Sequence, residues 1–325
     1  MQYVNSSPFL GNSTAMQKVF RTIEKVAQTE ASVLILGENG TGKELVAQMI
    51  HQQSPRKINP FIRVDLGSVT ETLFESEVFG HVKGAYTDAR TDRAGRFELA
   101  NTGSIFLDEI GNLSKMMQCK LLTALELRQV TRVGESRPRN IDIRLISATN
   151  NNLKSMIEKG DFRQDLLYRI NTVEINLPPL RQRDNDIILL LDYFIAFFAE
   201  KYQKKIEKLS DSIKRQLLKY TWPGNVRELL HVTERAVIMA ENNVVSLDDF
   251  GIIPEYSNSM CNMIGNEEFE DYNLEHIELN TIKKVLTICN NQIKEAAKIL
   301  GLSSSSLYRR LEKYSIDINE NGREI

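Results

Sequence analysis

The segment with the clearest potential for chemistry lies near the amino terminus and is rich in glycine: Gly37, Glu38, Asn39, Gly40, Thr41, Gly42, Lys43 and Glu44. Its glycines let successive backbone N–H groups turn inward around phosphate oxygens, while the helix predicted to follow presents its positive end. Lys43 is placed to reach the β- and γ-phosphates of a nucleotide. Glu44 stands where such loops usually carry a Ser or Thr that ligates magnesium, so that contact cannot form in the standard way. A glycine-rich surface turn is the alternative, and the flanking strand and helix patterns argue against it.

A second motif ends the apolar run 104–107 with two carboxylates, Asp108 and Glu109. This arrangement places Asp108 to bind magnesium and Glu109 to orient or deprotonate an attacking water. An acidic strand end at the protein surface is the alternative. Because the pair follows the phosphate-binding segment within one module, the two motifs together predict hydrolysis of ATP or GTP.

These motifs need a scaffold that brings strand ends together. Strand-like runs occur at five places, with helical patterns between most of them: residues 32–36, 61–66, 104–107, 141–147 and 172–177. The alternation predicts an α/β fold with a parallel sheet and helices on both faces. From residue 184 to about 240 the pattern is helical only, broken at Trp222-Pro223-Gly224, and predicts a small all-α subdomain.

The carboxyl-terminal part has the pattern of a helix, a turn at Gly301 and a second helix, over residues 291–302 and 303–311. This spacing is typical of a helix-turn-helix, which predicts binding to double-stranded DNA. Between Lys294 and Tyr314 there are five basic and two acidic residues, a local excess of three positive charges. A simple interaction hairpin is the alternative. The candidate DNA-binding residues are Ser304, Ser305, Ser306, Tyr308, Arg309, Arg310 and Lys313.

Composition limits the other possibilities. The 325-residue chain has a formal charge of −2, so contact with nucleic acid must come from a local basic surface. Its three cysteines are far apart and show no C-x-x-C spacing, which indicates neither a disulfide framework nor a zinc site. No apolar run is long enough for a membrane span, and no signal peptide is evident. We therefore expect a cytoplasmic protein without membrane contact.

Two further stretches carry a family resemblance, residues 75–89 with 95–97, and residues 222–229. Together with the phosphate-binding segment and its Glu44, they resemble the sigma-54-dependent transcriptional activators, the bacterial enhancer-binding AAA+ proteins. The likeness runs from about residue 10 to residue 249 and resumes in the tail, which resembles a Fis-type helix-turn-helix. It implies a P-loop AAA+ ATPase subdomain at 1–180, a helical lid subdomain at 181–250, a linker at 251–273 and a DNA-binding domain at 274–325.

The resemblance also implies an activity. It indicates a ring, usually a hexamer, that uses ATP and Mg²⁺ to remodel the closed complex of sigma-54 RNA polymerase. Arg163 and Arg169 match the arginines that reach the γ-phosphate of the neighbouring subunit, a role suited to a permanently charged guanidinium. Ordinary surface salt bridges are the alternative for both. The remaining matches are Asn150 as the γ-phosphate sensor after Thr149, Arg227 as the sensor on the lid, and Asp65 as the polar partner of Glu109.

The loop expected to contact sigma-54 departs from the family pattern Gly-Ala-Phe-Thr-Gly-Ala at two positions; here it reads Gly84, Ala85, Tyr86, Thr87, Asp88 and Ala89. Tyr86 keeps an aromatic ring, whereas Asp88 replaces a glycine and adds negative charge. An ordinary solvated loop is the alternative for this segment. A DNA-binding AAA+ regulator that no longer engages sigma-54 is the rival function, and a protein unfoldase is a weaker one. Members of this family commonly carry an amino-terminal sensory domain, which we expect this chain to lack because it begins almost at the AAA+ module; either a separate partner controls it or the sequence has been trimmed.

Overall fold

The computed structural model describes residues 9–68, 71–252, 274–289 and 292–314, and the chain divides into two units, Met1–Pro254 and Glu255–Ile325. The linker predicted at 251–273 falls outside these ranges beyond residue 252, as does the end of the tail beyond residue 314. Within the described ranges, no helix has both the length and the apolarity that a membrane crossing requires.

The first unit begins with an alternation of strands and helices. In chain order its elements are α1 (Thr14–Ala27), β1 (Val33–Leu36), α2 (Lys43–Gln52), β2 (Phe61–Asp65), α3 (Glu71–Phe79), β3 (Gly80–His81), β4 (Arg93–Ala94), α4 (Arg96–Leu99), β5 (Ser104–Asp108), α5 (Lys115–Leu127), β6 (Gln129–Val130), β7 (Arg139–Asn140), β8 (Arg144–Thr149), α6 (Leu153–Glu158), α7 (Gln164–Ile170) and β9 (Val173–Asn176). Four helices complete it: α8 (Asp186–Lys201), α9 (Asp211–Lys219), α10 (Asn225–Met239) and α11 (Leu247–Phe250).

The five longer strands form one parallel sheet in the order β2-β5-β8-β1-β9. Alternate residues of the central strands enter opposite cores, so Val33 and Ile35 of β1 lie in one cluster and Leu34 in the other. Helices α1 and α2 cover the first face, and α3, α5 and α7 cover the second. The predicted α/β class and parallel sheet are confirmed. Because the strands run parallel, their carboxyl ends lie at the same edge of the sheet, and four of these ends carry polar residues.

The predicted first residue of one strand was wrong. Residues 141–147 were expected to form a strand, but β8 begins at Arg144, because the Ile141 N–H donates to the Arg128 carbonyl outside the sheet. Residues 139–140 pair instead with 129–130 as an antiparallel ribbon. A second ribbon pairs β3 with β4, and it brackets the 84–89 loop. The sequence pattern signals neither ribbon, since two-residue strands are too short to show periodicity.

The all-α subdomain predicted after residue 184 is present as α8 to α11. Its core surrounds Trp222, the one tryptophan of the chain, which is fully buried and donates its indole N–H to the Leu217 carbonyl at 3.0 Å. Trp222 therefore fixes the break between α9 and α10 that its Trp-Pro-Gly sequence signals.

The second unit contains three described helices, α12 (Leu274–Ile288), α13 (Ile293–Ile299) and α14 (Ser304–Lys313). They enclose a small apolar core that includes Ile282, Leu286, Leu307 and Leu311. Gly301 has φ +66° and makes the turn between α13 and α14, and the Ser303 hydroxyl accepts from the Ser306 N–H to cap α14. The predicted helix-turn-helix arrangement is confirmed.

The lid is joined to the segment before α1 through one buried carboxylate. Asp186, 2% exposed at the start of α8, accepts from the Asn12 N–H at 2.6 Å, the Ser13 N–H at 3.0 Å and the Ser13 hydroxyl at 2.6 Å. The neighbouring Arg183 is also buried, and burial lowers the pKa of its guanidinium to about 10, while the charge of Asp186 acts in the opposite direction. Asp186 thus accepts three hydrogen bonds and also balances the charge of Arg183.

We expect Asp186→Ala to lower the free energy of unfolding of the first unit by about 3 kcal/mol, because it leaves the N–H and hydroxyl of buried Ser13 without an acceptor and the buried Arg183 guanidinium without its counter-charge. Urea titration followed by Trp222 fluorescence measures this change. Asp192→Ala is the control on the same helix, since Asp192 forms an exposed pair with Lys214 and should cost less than about 0.5 kcal/mol. Equal losses in the two variants would contradict the assigned role of Asp186.

Candidate functional site

The glycine-rich segment joins the end of β1 to the start of α2, so its backbone lies at the carboxyl edge of the sheet. Gly40 and Gly42 have φ values of +79° and +104°, which residues with a Cβ rarely adopt. A Cβ on Gly40 would also lie 2.2 Å from the Gly224 carbonyl oxygen of the lid. Glycine is therefore required at residue 40 for both the loop conformation and its contact with the lid.

Lys43 opens α2 with its ammonium turned back over this loop. Its Nζ donates to the Gly37 carbonyl at 2.9 Å and lies 3.5 Å from Glu109 Oε1, and the side chain is only 7% exposed. Glu109 has φ +55°, the left-handed region, directly after β5. Its Oε2 is buried and has no hydrogen-bond partner among the described residues. A held cation beside an unpartnered carboxylate oxygen fits a site that takes a phosphate and a water.

Asp108 and Glu44 lie beside this pair and share a cation that the sequence did not reveal. Arg63 of β2 donates to Glu44 Oε2 at 2.6 Å and to Asp108 Oδ2 at 3.0 Å. A carboxylate is a ligand that Mg²⁺ accepts when phosphates and waters complete its shell, so Asp108 fits the implied metal. No cluster of three or more potential ligands of the His, Cys, Asp or Glu type occurs within the part of the chain that the structure describes.

Asp65 and Asn150 belong to the same edge of the sheet. Asp65 ends β2 in register with Asp108, and its Oδ1 accepts from the Gly67 N–H at 3.1 Å. Among the described contacts no hydrogen bond joins Asp65 to Glu109, so their exchange stays a prediction. Thr149 ends β8 between β5 and β1, and its carbonyl accepts from the Gly37 N–H. Asn150 follows as an exposed residue beside the phosphate-binding segment.

The lid reaches the same loop through contacts that sequence patterns did not identify. Glu38 forms a bidentate ion pair with Arg181 at 2.5 and 2.9 Å and accepts from Asn225 Nδ2 at 3.0 Å. These contacts lower the pKa of the Glu38 carboxyl to about 2, the hydrogen bond from Arg181 being the largest cause. Buried Arg183 donates to the Thr41 carbonyl at 2.7 Å. The predicted lid residue Arg227 meets the loop through its backbone N–H, 3.3 Å from the Gly40 carbonyl.

The structure does not bring Arg163 and Arg169 to this site. Arg169 donates to the Leu125 carbonyl at 2.7 Å and lines a cavity with Ser32 and Thr172, the residues just before β1 and β9. Arg169 therefore lies at the amino edge of the sheet, opposite the phosphate-binding segment. Arg163 is exposed and pairs with Asp165 at 2.6 Å, which raises the pKa of its guanidinium.

The 84–89 loop closes at its base with the Gly84 N–H donating to the Ala89 carbonyl at 2.8 Å. Its Tyr86 ring lies edge-on to His81 at 5.2 Å, with its hydroxyl 3.4 Å from the Ser76 hydroxyl. Ala85 packs beside Gly134. Thr87 and Asp88 are exposed. The predicted contact residues therefore form a hydrogen-bonded turn with its polar tip toward solvent.

The candidate DNA-binding residues of α14 differ in availability. Tyr308 and Arg309 are exposed, as are Ser304 and Ser305 at the start of the helix. Arg310 is instead held within the unit: it donates to Glu278 at 2.5 Å and to the Ser306 hydroxyl at 2.6 Å. The Lys313 ammonium lies 4.9 Å from the centre of the Tyr314 ring.

Comparison with known protein families gives three matches along the chain. Residues 9–176 match the family described as the sigma-54 interaction domain, residues 181–258 the AAA+ ATPase lid domain, and residues 273–314 the bacterial regulatory protein, Fis family. The first match covers the whole sheet and every catalytic candidate, and the third covers the described helices of the second unit.

Individual relatives agree with these matches. The chain is 43% identical over 310 residues to the nitrogen fixation protein AnfA of Azotobacter vinelandii, which covers 95% of this chain and 58% of AnfA. It is 40% identical over 315 residues to the regulatory protein AtoC of Escherichia coli (strain K12), covering 95% and 68%. The crystal structure of NtrX from Brucella abortus in complex with ATP is 30% identical, with a TM-score of 0.70 over 96% of this chain and 70% of NtrX. The chain thus spans roughly half to two thirds of the length of such relatives.

The low pKa of Glu38 predicts how its contact with the lid depends on pH. A carboxyl whose pKa is depressed on folding stabilises the protein above its unfolded pKa, and this stabilisation is lost as the pH falls through the folded pKa. We expect the free energy of unfolding of wild type to exceed that of Glu38→Gln by about 1 kcal/mol at pH 7, a small value because both partners are partly exposed to solvent. The difference should decline below about pH 4.5 and vanish toward pH 2.

Denaturant unfolding between pH 3 and pH 7 measures this difference through Trp222 fluorescence. Raising the salt concentration to about 1 M should shrink the difference at pH 7, because the Debye length falls to about 3 Å. A difference that stays constant across the pH range would show that Glu38 acts through packing instead of charge.

Proposed function

The chain belongs to the family of sigma-54-dependent transcriptional activators, and on that premise we propose that it binds enhancer-like DNA and hydrolyses ATP to convert the closed complex of sigma-54 RNA polymerase into the open complex. The observation that carries the proposal is the meeting of Lys43, Asp108 and Glu109 at one sheet edge beside the glycine-rich loop. NtrX, a relative at 30% identity, was crystallised with ATP and with ADP, which supports ATP as the nucleotide.

Each residue of the edge has a distinct proposed role. The backbone N–H groups of residues 38–42 and the Lys43 ammonium hold the phosphates. Asp108 holds Mg²⁺, which when bound neutralises phosphate charge. Glu109 accepts the proton of the attacking water at its unpartnered Oε2. Asn150 and Arg227 report the state of the γ-phosphate to the sheet and to the lid.

The positions of Arg163 and Arg169 support assembly into a ring, which we propose to be a hexamer. Arg169 lies at the amino edge of the sheet, so it serves the nucleotide of an adjacent subunit and not its own. A guanidinium suits this role because it stays charged and forks onto phosphate oxygens. The Asp165 partner of Arg163 keeps that side chain extended at the surface until a neighbour replaces it.

Two surfaces supply the proposed partners. The exposed tip of the 84–89 loop contacts sigma-54, with Tyr86 and Thr87 as the aromatic and hydroxyl groups. The second unit binds double-stranded DNA through the start of α14 and the exposed Arg309, in the manner of a recognition helix. Asp88 keeps the rival function open, a DNA-binding regulator without sigma-54 remodelling, because its carboxylate is exposed at the loop tip.

We expect mixed rings to restore activity that neither variant has alone. Glu109→Gln removes the proton acceptor and Arg169→Ala removes the guanidinium donated to a neighbour, so each homogeneous protein should lose at least about 100-fold in ATP turnover. In an equal mixture, an Arg169→Ala subunit keeps Glu109 and can receive Arg169 from a Glu109→Gln neighbour. In a randomly mixed ring, about a quarter of the subunit interfaces join an intact Glu109 to an intact Arg169, so roughly a quarter of the wild-type turnover is restored.

Phosphate release measured across mixing ratios tests this arrangement. A mixture of Glu109→Gln with Lys43→Ala is the matched control, because both changes damage the same side of the interface and cannot complement. If the Arg169→Ala mixture is as inactive as its components, Arg169 does not act across subunits.

Transcription in vitro from a sigma-54 promoter tests the proposed function directly. Wild type should form open complexes in an ATP-dependent manner, and Asp88→Gly should form them at an equal or higher rate, because the change removes charge and frees the backbone at the loop tip. Wild type that hydrolyses ATP without opening the promoter, while Asp88→Gly opens it, would exclude sigma-54 activation for this protein and favour the rival function.

A further inference from the structure

A single guanidinium lies between the proposed metal ligand Asp108 and the neighbouring carboxylate of Glu44. Arg63 comes from the edge strand β2, Asp108 from the neighbouring β5, and Glu44 from the first turn of α2. We propose that Arg63 is an internal cation that holds Asp108 and Glu44 when no metal is bound and competes with Mg²⁺ for Asp108. This inference rests on the proposed ATPase function and extends it to a residue with no assigned role.

The charges explain why a cation is needed at this position. Both carboxylate oxygens lie within 3.0 Å of the same guanidinium, so without it two negative side chains would face each other. Arg63 and Asp65 share one face of β2 because they are two residues apart, and the exposed end of Arg63 extends across to Asp108 of the adjacent strand. The guanidinium fork lets one side chain serve both carboxylates, which an ammonium cannot do in the same way.

The exposure of Lys43 and Arg63 indicates which of these two cations can give up its carboxylate partner. Lys43 is 7% exposed and is fastened to the Gly37 carbonyl, whereas Arg63 is 41% exposed. An ion pair with one partly exposed partner contributes little net stability, so Arg63 can give up Asp108 at small cost. Glu44 then keeps its ion pair with Arg63, because this contact, at 2.6 Å, is shorter than the contact between Arg63 and Asp108. The glutamate that replaces the usual hydroxyl thus holds Arg63 when Asp108 takes the metal.

Competition has a measurable consequence for metal affinity. We expect Arg63→Gln to lower the Mg²⁺ concentration that gives half-maximal effect on nucleotide binding by about three- to tenfold, the range expected for loss of one or two partly exposed ion pairs. Arg63→Lys keeps the charge but loses the fork, so its half-maximal concentration should fall between those of wild type and Arg63→Gln.

The experiment uses the full chain and a fluorescent, slowly hydrolysed ATP analogue, with Mg²⁺ titrated from an EDTA-buffered baseline. Arg139→Gln is the matched control: Arg139 also lies between two glutamates, Glu98 and Glu135, with similar exposure, and it is not part of the nucleotide site. The half-maximal Mg²⁺ concentration of Arg139→Gln should equal that of wild type. Thermal unfolding of each variant verifies that it is folded.

Four results would overturn the inference. An unchanged or raised half-maximal Mg²⁺ concentration in Arg63→Gln would show that Arg63 does not compete with the metal. A loss of analogue binding in EDTA without a change in the Mg²⁺ response would make Arg63 a phosphate ligand. Arg63→Lys behaving like wild type would show that charge alone matters and not the bridge. If wild type binds no analogue with or without Mg²⁺, the proposed ATPase function fails and this inference fails with it.

Discussion

The close approach of the phosphate-binding loop to the lid is the constraint on which the rest of the first unit depends. Gly40 lies so near the Gly224 carbonyl that no side chain fits between them. Asn225 is fully buried at that point, accepts from the Leu180 N–H at 2.7 Å and donates to Glu38. A change in the loop must therefore move the lid, because packed backbone cannot absorb displacement locally. This contact gives a change in the loop a mechanical path to the lid.

Paired charges are the second feature of the site. Lys43 faces Glu109, Arg63 joins Glu44 to Asp108, and Arg181 holds Glu38. Each of these four carboxylates thus has a cation partner, which avoids repulsion among acidic groups in a small volume. The pairs formed by Arg63 and Arg181 are partly exposed, so a ligand with stronger charge can exchange with them at low cost. The carboxylates are thus held in place, and a ligand can still replace the more exposed of their cation partners.

The two edges of the sheet divide the proposed chemistry between subunits. Phosphate-binding and carboxylate groups collect where the parallel strands end, whereas Arg169 lies where they begin. A single chain cannot bring both edges together, because the sheet separates them. The 84–89 loop sits on a short ribbon inserted between α3 and α4, outside the sheet, where it can project toward a partner without disturbing the core. The proposed contact with sigma-54 is thereby placed on a surface outside the sheet.

The sequence by itself determined the parallel sheet, the loop at 37–44, the carboxylate pair after β5 and the helix-turn-helix, because each depends on local spacing and backbone preference. Only the tertiary structure decided which side chains complete the site. Glu38 and Asn225 are 187 residues apart and Thr41 and Arg183 are 142 apart, and Arg63 looks like any exposed strand residue until β2 is placed beside β5. It likewise decided that Arg310 is bound to Glu278 within its own unit while Arg309 is exposed. Such partnerships depend on how distant elements pack, and local periodicity carries no information about that packing.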